Sequence, residues 1–245
     1  MDTKTVWFEN IGSKRVFCIL TEPDPSQKKL IIMSHGFRGG STGPARTFVD
    51  FTALLVKNNY SVLRYNQPNS GNSDGEYINS SFKEWVKTLV FLTKKYLNLG
   101  YKVSLLGQSM GATTTMIATH DVDVRNKIPC VILWVPDAKS NYSREANKTY
   151  EEGGQIYKGT FWQEAKELDF FNALNNYQGA IHLVYGEFDK YVDKDIVKKT
   201  IKIVKEKNQS VMILKGQEHS PWLFNDAQKV YEDELNFLIR TLNKY

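Results

Sequence analysis

Eight short apolar runs, most of them separated by amphipathic stretches, limit what this chain can fold into more than any other feature. They cover residues 6–9, 16–20, 30–34, 61–65, 103–106, 130–135, 181–185 and 211–214. Segments with helical spacing fall at 45–58, 82–97, 110–120, 194–206 and 227–242. Strands alternating with helices in this way feed a mostly parallel sheet. The expectation is an α/β fold in one domain over residues 1–245, an eight-stranded, mostly parallel sheet flanked by helices.

The helical segments read as core-facing. Ser81 stands three residues before Glu84, a capping-box spacing, and Phe82, Trp85, Leu89, Leu92 and Tyr96 make one apolar stripe. In the last helix Tyr231, Leu235, Leu238 and Leu242 share a face that would close the sheet from one side. Residues 137–176 break the rhythm. The stretch is polar, carries Gly153, Gly154 and Gly159, and interleaves Tyr142, Tyr150, Tyr157, Phe161, Trp162, Phe170 and Phe171. It reads as a cap-like insertion within the domain, and no repeat or linker divides the chain.

Composition narrows the partners. Hydrophobic residues make up 41% and charged residues 24%, which speaks against a disordered or fibrous chain. The formal charge of +5 is spread through helical stretches, at Lys94 and Lys95, Lys198 and Lys199, and Lys202, Lys205 and Lys207. Lysines so placed cover solvated faces, and no nucleic-acid partner is expected. Cys18 and Cys130 lie in apolar runs and read as buried free thiols. Residues 1–10 lack the basic start and apolar stretch of a secretory signal, and no run reaches membrane-spanning length, so a cytoplasmic protein with no membrane partner is expected.

The segment Gly107-Gln108-Ser109-Met110-Gly111 follows one apolar run and opens a helix. A nucleophilic serine needs a sharp strand-to-helix turn that exposes its hydroxyl, and the flanking glycines permit the close packing such a turn demands. The helix start behind it favours developing negative charge. Ser109 needs a base, and the chain offers four histidines: His35, His120, His182 and His219. His182 lies inside an apolar run, and His120 is about 16 Å along the helix axis from Ser109 at 1.5 Å per residue. His35 precedes Gly36 directly after a strand and suits an oxyanion loop instead. His219, in a loop between the last strand and the last helix, is the candidate base. Asp189 follows the strand at 181–185 and is the candidate acid that orients His219, with Glu187 and Asp193 as nearby competitors. Backbone N–H groups of Phe37 and Met110 are the expected oxyanion donors. No histidine, cysteine and carboxylate cluster has ligand spacing and no dinucleotide glycine pattern follows the first strands, so neither metal nor cofactor is expected.

The order Ser109, Asp189, His219, with His35-Gly36-Phe37 and the elbow, resembles the α/β-hydrolase superfamily over essentially the whole chain, most closely the serine aminopeptidase-like hydrolases and the bacterial cinnamoyl and feruloyl esterases. The segment from Arg64 to Tyr77 carries part of the likeness. It keeps Gly71, Ser73, Asp74 and Gly75, but has Asn66 where that family has an aspartate and Asn69 where it has a glycine. The resemblance implies an α/β-hydrolase fold with a small cap insertion after strand 6 that roofs an acyl pocket. It also implies hydrolysis of a small carboxylic ester through an acyl-enzyme. His35, Trp134, Tyr157 and Trp162 are the side chains expected to line an aromatic, apolar pocket. A peptidase or thioesterase could run on the same three residues. An exopeptidase would need acids for a substrate amine, for which Glu145, Glu151, Glu152 and Glu164 are candidates. A non-catalytic binding module on this fold is the remaining alternative.

Overall fold

A computed structural model describes residues 2–242. Strand β1 (Asp2–Ile11) turns back into β2 (Lys14–Pro23) as an antiparallel edge pair. The remaining strands of the main sheet are β3 (Lys29–Ser34), β4 (Ser61–Tyr65), β5 (Lys102–Gln108), β6 (Cys130–Trp134), β9 (Ala180–Gly186) and β10 (Ser210–Leu214). Their order is β1-β2-β4-β3-β5-β6-β9-β10, and every pairing from β4 to β10 is parallel. The expected eight-stranded, mostly parallel sheet is what the chain forms. The two edge strands at the start are its antiparallel part.

Helices cover the sheet: α1 (Thr47–Lys57), α2 (Phe82–Asn98), α3 (Met110–Ala118), α6 (Lys194–Glu206) and α7 (Phe224–Leu242). Central strands are buried along nearly their whole length, which is why they read as unbroken apolar runs. Edge strand β1 is exposed or half-buried throughout, which is why it is polar. The Ser81 hydroxyl accepts from the Glu84 amide at 3.2 Å and caps α2, and the stripe from Phe82 to Tyr96 is buried. Cys18 and Cys130 are free and buried, and burial pushes both thiols up to about 12. Among the described residues no helix is long and apolar enough to cross a membrane.

The stretch 137–176 holds more structure than its polar sequence suggested. It contains a two-stranded hairpin, β7 (Thr149–Glu152) with β8 (Gln155–Lys158), and two helices, α4 (Thr160–Glu167) and α5 (Phe170–Asn176). Helix α4 packs on α2, and α5 packs on α3 and α6. Because β4 to β10 run parallel, the loops after β3, β4, β5, β6, β9 and β10 all emerge at one rim of the sheet, where an α/β fold assembles its site.

Candidate active site

Ser109 stands between β5 and α3 with φ 55° and ψ −126°, a backbone state an L-residue adopts only under constraint. The constraint is glycine packing. A Cβ on Gly107 would lie 2.2 Å from the Gly111 carbonyl oxygen, and one on Gly111 would lie 2.1 Å from the Ser34 carbonyl oxygen. Glycine at both places lets β5, α3 and the end of β3 close to backbone contact. The Ser109 amide donates to the Trp134 carbonyl at 2.8 Å, and the Ser109 carbonyl accepts from Ala112 and Thr113 as α3 begins. These contacts lift the serine hydroxyl out of the turn.

That hydroxyl donates to His219 Nε2 at 2.9 Å, and His219 Nδ1 donates to Asp189 Oδ2 at 2.7 Å. The other Asp189 oxygen accepts from the amides of Tyr191 and Val192 at 2.9 and 3.1 Å, which aims the carboxylate at the ring. The two loops are tied together: the Phe188 amide donates to the Gln217 carbonyl at 2.8 Å, and a Cβ on Gly186 would strike the Glu218 carbonyl oxygen at 2.0 Å. Gln108 Nε2 donates to the Ser220 hydroxyl at 2.8 Å and joins the elbow to the histidine loop. Glu187 and Asp193, the competing acids, are engaged elsewhere. Glu187 accepts from the Gly216 amide, and Asp193 caps α6 through the Asp195 amide.

Phe37 and Met110 start the two segments that face each other across the elbow, and among the described residues neither amide has a protein acceptor. Gly36 brings them close, since a Cβ there would lie 2.9 Å from the Ser109 Cβ. The Phe37 ring is held by Tyr157 of β8 and by Phe161 and Trp162 of α4, at centroid distances of 4.8, 4.9 and 5.0 Å, and by Tyr77. Aromatics of β8 and α4 therefore brace the loop after β3.

Three of the four residues expected to line the substrate pocket do not. His35 is buried. Its Nδ1 donates to the Gly36 carbonyl at 2.8 Å and its Nε2 accepts from the Gln67 amide at 2.9 Å, so it pins the loop to the turn after β4. Burial holds its pKa down at about 4. Trp134 points to the opposite layer, against Phe48, Phe51, Trp222 and Tyr231, and its indole donates to Glu234 at 3.0 Å. Tyr157 is buried against Phe37 and donates to Glu152. Trp162 does reach the cleft.

The cleft over Ser109, about 650 Å³, is more charged than an aromatic pocket would be. Phe37, Trp162 and Tyr191 share its walls with Arg38, Arg144 and Lys190 and with the carboxylates of Asp137 and Glu152. Asp137, just past β6, is buried with one oxygen accepting from the Ser140 amide, and burial holds its carboxyl above the ordinary range. Sequence reading passed over Asp137, Arg38 and Arg144, and no spacing marks them. Of the acids considered for an amine, Glu145 pairs with Lys148 at the surface and Glu164 caps α2 through Ser81 and Lys83. Glu151 is exposed, and only Glu152 faces the cleft. A second cavity, about 710 Å³ and lined by His120, Arg125 and Tyr177, opens at the other ends of the strands, and Ser109, Asp189 and His219 do not line it.

The turn after β4 accounts for both departures from the expected pattern. Asn66 Oδ1 accepts from the Ser41 amide at 2.7 Å, an acceptor role an aspartate would also fill. Asn69 has φ 65°, a left-handed state asparagine tolerates where a glycine is expected.

Comparison of the sequence with protein-family models and with curated proteins finds no match. Comparison of the structure does. Est1E from Butyrivibrio proteoclasticus with ferulic acid bound superposes with a TM-score of 0.85 at 19% identity, over 97% of this chain and 99% of that one. GrgF from Penicillium sp. sh18, described as an alpha/beta hydrolase, gives 0.78 at 17% identity over 98% and 99%. The monoacylglycerol lipase of Paleococcus ferrophilus gives 0.76 at 15% identity over 92% and 99%. With the same sheet, the same helical layers and coverage of nearly the whole chain, this protein has the α/β-hydrolase fold.

Proposed function

We propose that the protein is a serine hydrolase that cleaves a carboxylic ester through an acyl-enzyme. The observation that carries this reading is the unbroken relay from the Ser109 hydroxyl to His219 Nε2 at 2.9 Å and from His219 Nδ1 to Asp189 at 2.7 Å, on a strained elbow at the rim of a cleft. Ser109 Oγ attacks the ester carbonyl as its proton passes to His219 Nε2. The negative charge on the carbonyl oxygen is taken up by the Phe37 and Met110 amides. His219 returns the proton to the departing alcohol, and water then repeats the sequence to free the acid. Asp189 fixes the tautomer and stabilises the imidazolium at each step. The ferulic acid held by Est1E and the acylglycerol chemistry of the lipase support a carboxylic acyl group as the one transferred.

The test is pre-steady-state hydrolysis of para-nitrophenyl acetate. The expected record is a burst of nitrophenolate close to one equivalent per protein, absent in Ser109→Ala. A burst that survives in Ser109→Ala overturns the assignment.

A further inference from the structure

Two arginines and one carboxylate stand together in the Ser109 cleft. Arg38 follows Phe37 on the loop after β3, while Arg144 and Glu152 belong to the insertion. Arg38 Nη2 donates to Glu152 Oε1 at 3.0 Å. Arg144 Nη2 lies 3.5 Å from Glu152 Oε2, an oxygen that also accepts from the Tyr157 hydroxyl at 3.2 Å. One negative charge thus serves two guanidiniums, and the second pair is long. A guanidinium presents five N–H donors in a fork that suits a carboxylate two at a time. Arg144 gives one of them, at the limit of hydrogen-bond distance. Its Cζ lies over the rings of Tyr150 and Tyr157, with centroid distances of 4.5 and 5.2 Å, which helps to fix the group, and among the described residues its other N–H groups have no acceptor. The hairpin turn is shaped for the other arginine: Gly153 has φ 56°, and a Cβ there would lie 1.9 Å from Arg38 Nη1.

The remaining charges of the cleft do not balance this wall. Lys190 is mostly exposed and pairs with Glu218 at the rim. Asp137 is buried, and burial favours its uncharged form. Glu152 already faces two cations, so no carboxylate of the cleft is left free to hold a substrate amine. Half-buried guanidiniums lose hydration and side-chain freedom, a cost that a wall for a neutral acyl chain has no reason to carry.

We propose that Arg38 and Arg144 form an anion subsite, and that the preferred ester carries a carboxylate or like anion which these two guanidiniums hold while Glu152 keeps them in position. This inference rests on the ester-hydrolase reading and adds the substrate class to it. The protein is assayed with para-nitrophenyl hexanoate, the matched hydrogen adipate with its anion on the acyl chain, the matched aminocaproate with a cation there, and 3-carboxy-4-nitrophenyl hexanoate, which keeps the nitrophenol leaving group and carries its anion on the alcohol. One of the two anionic esters is expected to exceed the neutral ester in kcat/KM by about tenfold, and the cationic ester to fall below it. Which anionic ester wins places the subsite on the acyl or the alcohol side. Added salt lowers the ratio of anionic to neutral turnover in the parent protein. Arg144→Gln reduces that ratio about tenfold and Arg144→Lys restores part of it, a comparison internal to each variant. A neutral ester preferred over both anionic ones, or a ratio unchanged in Arg144→Gln and Arg38→Gln, overturns the subsite and leaves the hydrolase reading standing. Failure to turn over any of the four overturns both.

Discussion

Two imidazoles in this molecule are each set against carboxylates, and only one has a hydroxyl on its second nitrogen. His219 has Asp189 on Nδ1 and the Ser109 hydroxyl on Nε2, beside an open cleft. His182, in the middle of β9, has Glu234 at 2.9 Å from Nδ1 and Asp233 at 3.0 Å from Nε2, with no exposure at all. Burial pulls the His182 pKa down, but its two carboxylates push it up by more, and the net direction is upward. A fully buried ring with a carboxylate beside each nitrogen leaves neither nitrogen open to a substrate or a nucleophile. An acid beside an imidazole is therefore not enough for a general base. What sits on the second nitrogen, and whether substrate can reach it, decides the role.

Exchanging the two histidines breaks or sharpens this contrast. His219→Gln is expected to lower kcat by about ten-thousand-fold, near 5 kcal/mol of barrier, with the thermal midpoint almost unchanged. His182→Gln should do the reverse. It leaves the buried Glu234 with the Trp134 indole but without its imidazole neighbour, so denaturant unfolding is expected to show a loss of roughly 3–5 kcal/mol while turnover per folded molecule stays within about threefold. Lost turnover at unchanged stability in His182→Gln would erase the distinction.

A third histidine extends the comparison in the opposite pH direction. His35 must stay neutral to accept from Gln67, and its pKa of about 4 lies below the value near 6.5 of an unfolded chain. As pH falls from about 6.5 to about 4 the unfolded chain takes up the proton first. Stability therefore declines over that window, by about 3 kcal/mol from this residue, and levels off below it. His182 is shifted upward, so its contribution is full below about pH 6.5 and is lost as pH rises through its raised value. Chemical denaturation from pH 4 to 8 should show the acid decline in the parent and a flatter profile in His35→Asn. The smallest expected effects separate the two tryptophans: Trp162→Ala alters KM or acyl preference several-fold, while Trp134→Phe leaves KM within about twofold because its ring faces α1 and α7.

Much of this was legible in the sequence because burial writes it there. Strands covered on both faces are apolar at every position, and Ser109, Asp189 and His219 each sit in the loop that ends a strand. The same full burial hid the orientation of Trp134: in a strand apolar at every residue, alternation no longer tells which face a side chain takes. The hairpin of β7 and β8 escaped because its strands are four residues each and mostly polar. Arg38 and Glu152 meet across 114 positions of sequence, and no periodicity connects them.

Labelling with a fluorophosphonate, followed by peptide mass spectrometry, tests the relay from Asp189 to Ser109 most directly. The folded protein should take up one equivalent at Ser109, far more slowly in His219→Gln and unaffected in His182→Gln. Folded protein that leaves Ser109 unmodified, or labels it equally fast without His219, would show that the three side chains meet without activating the hydroxyl.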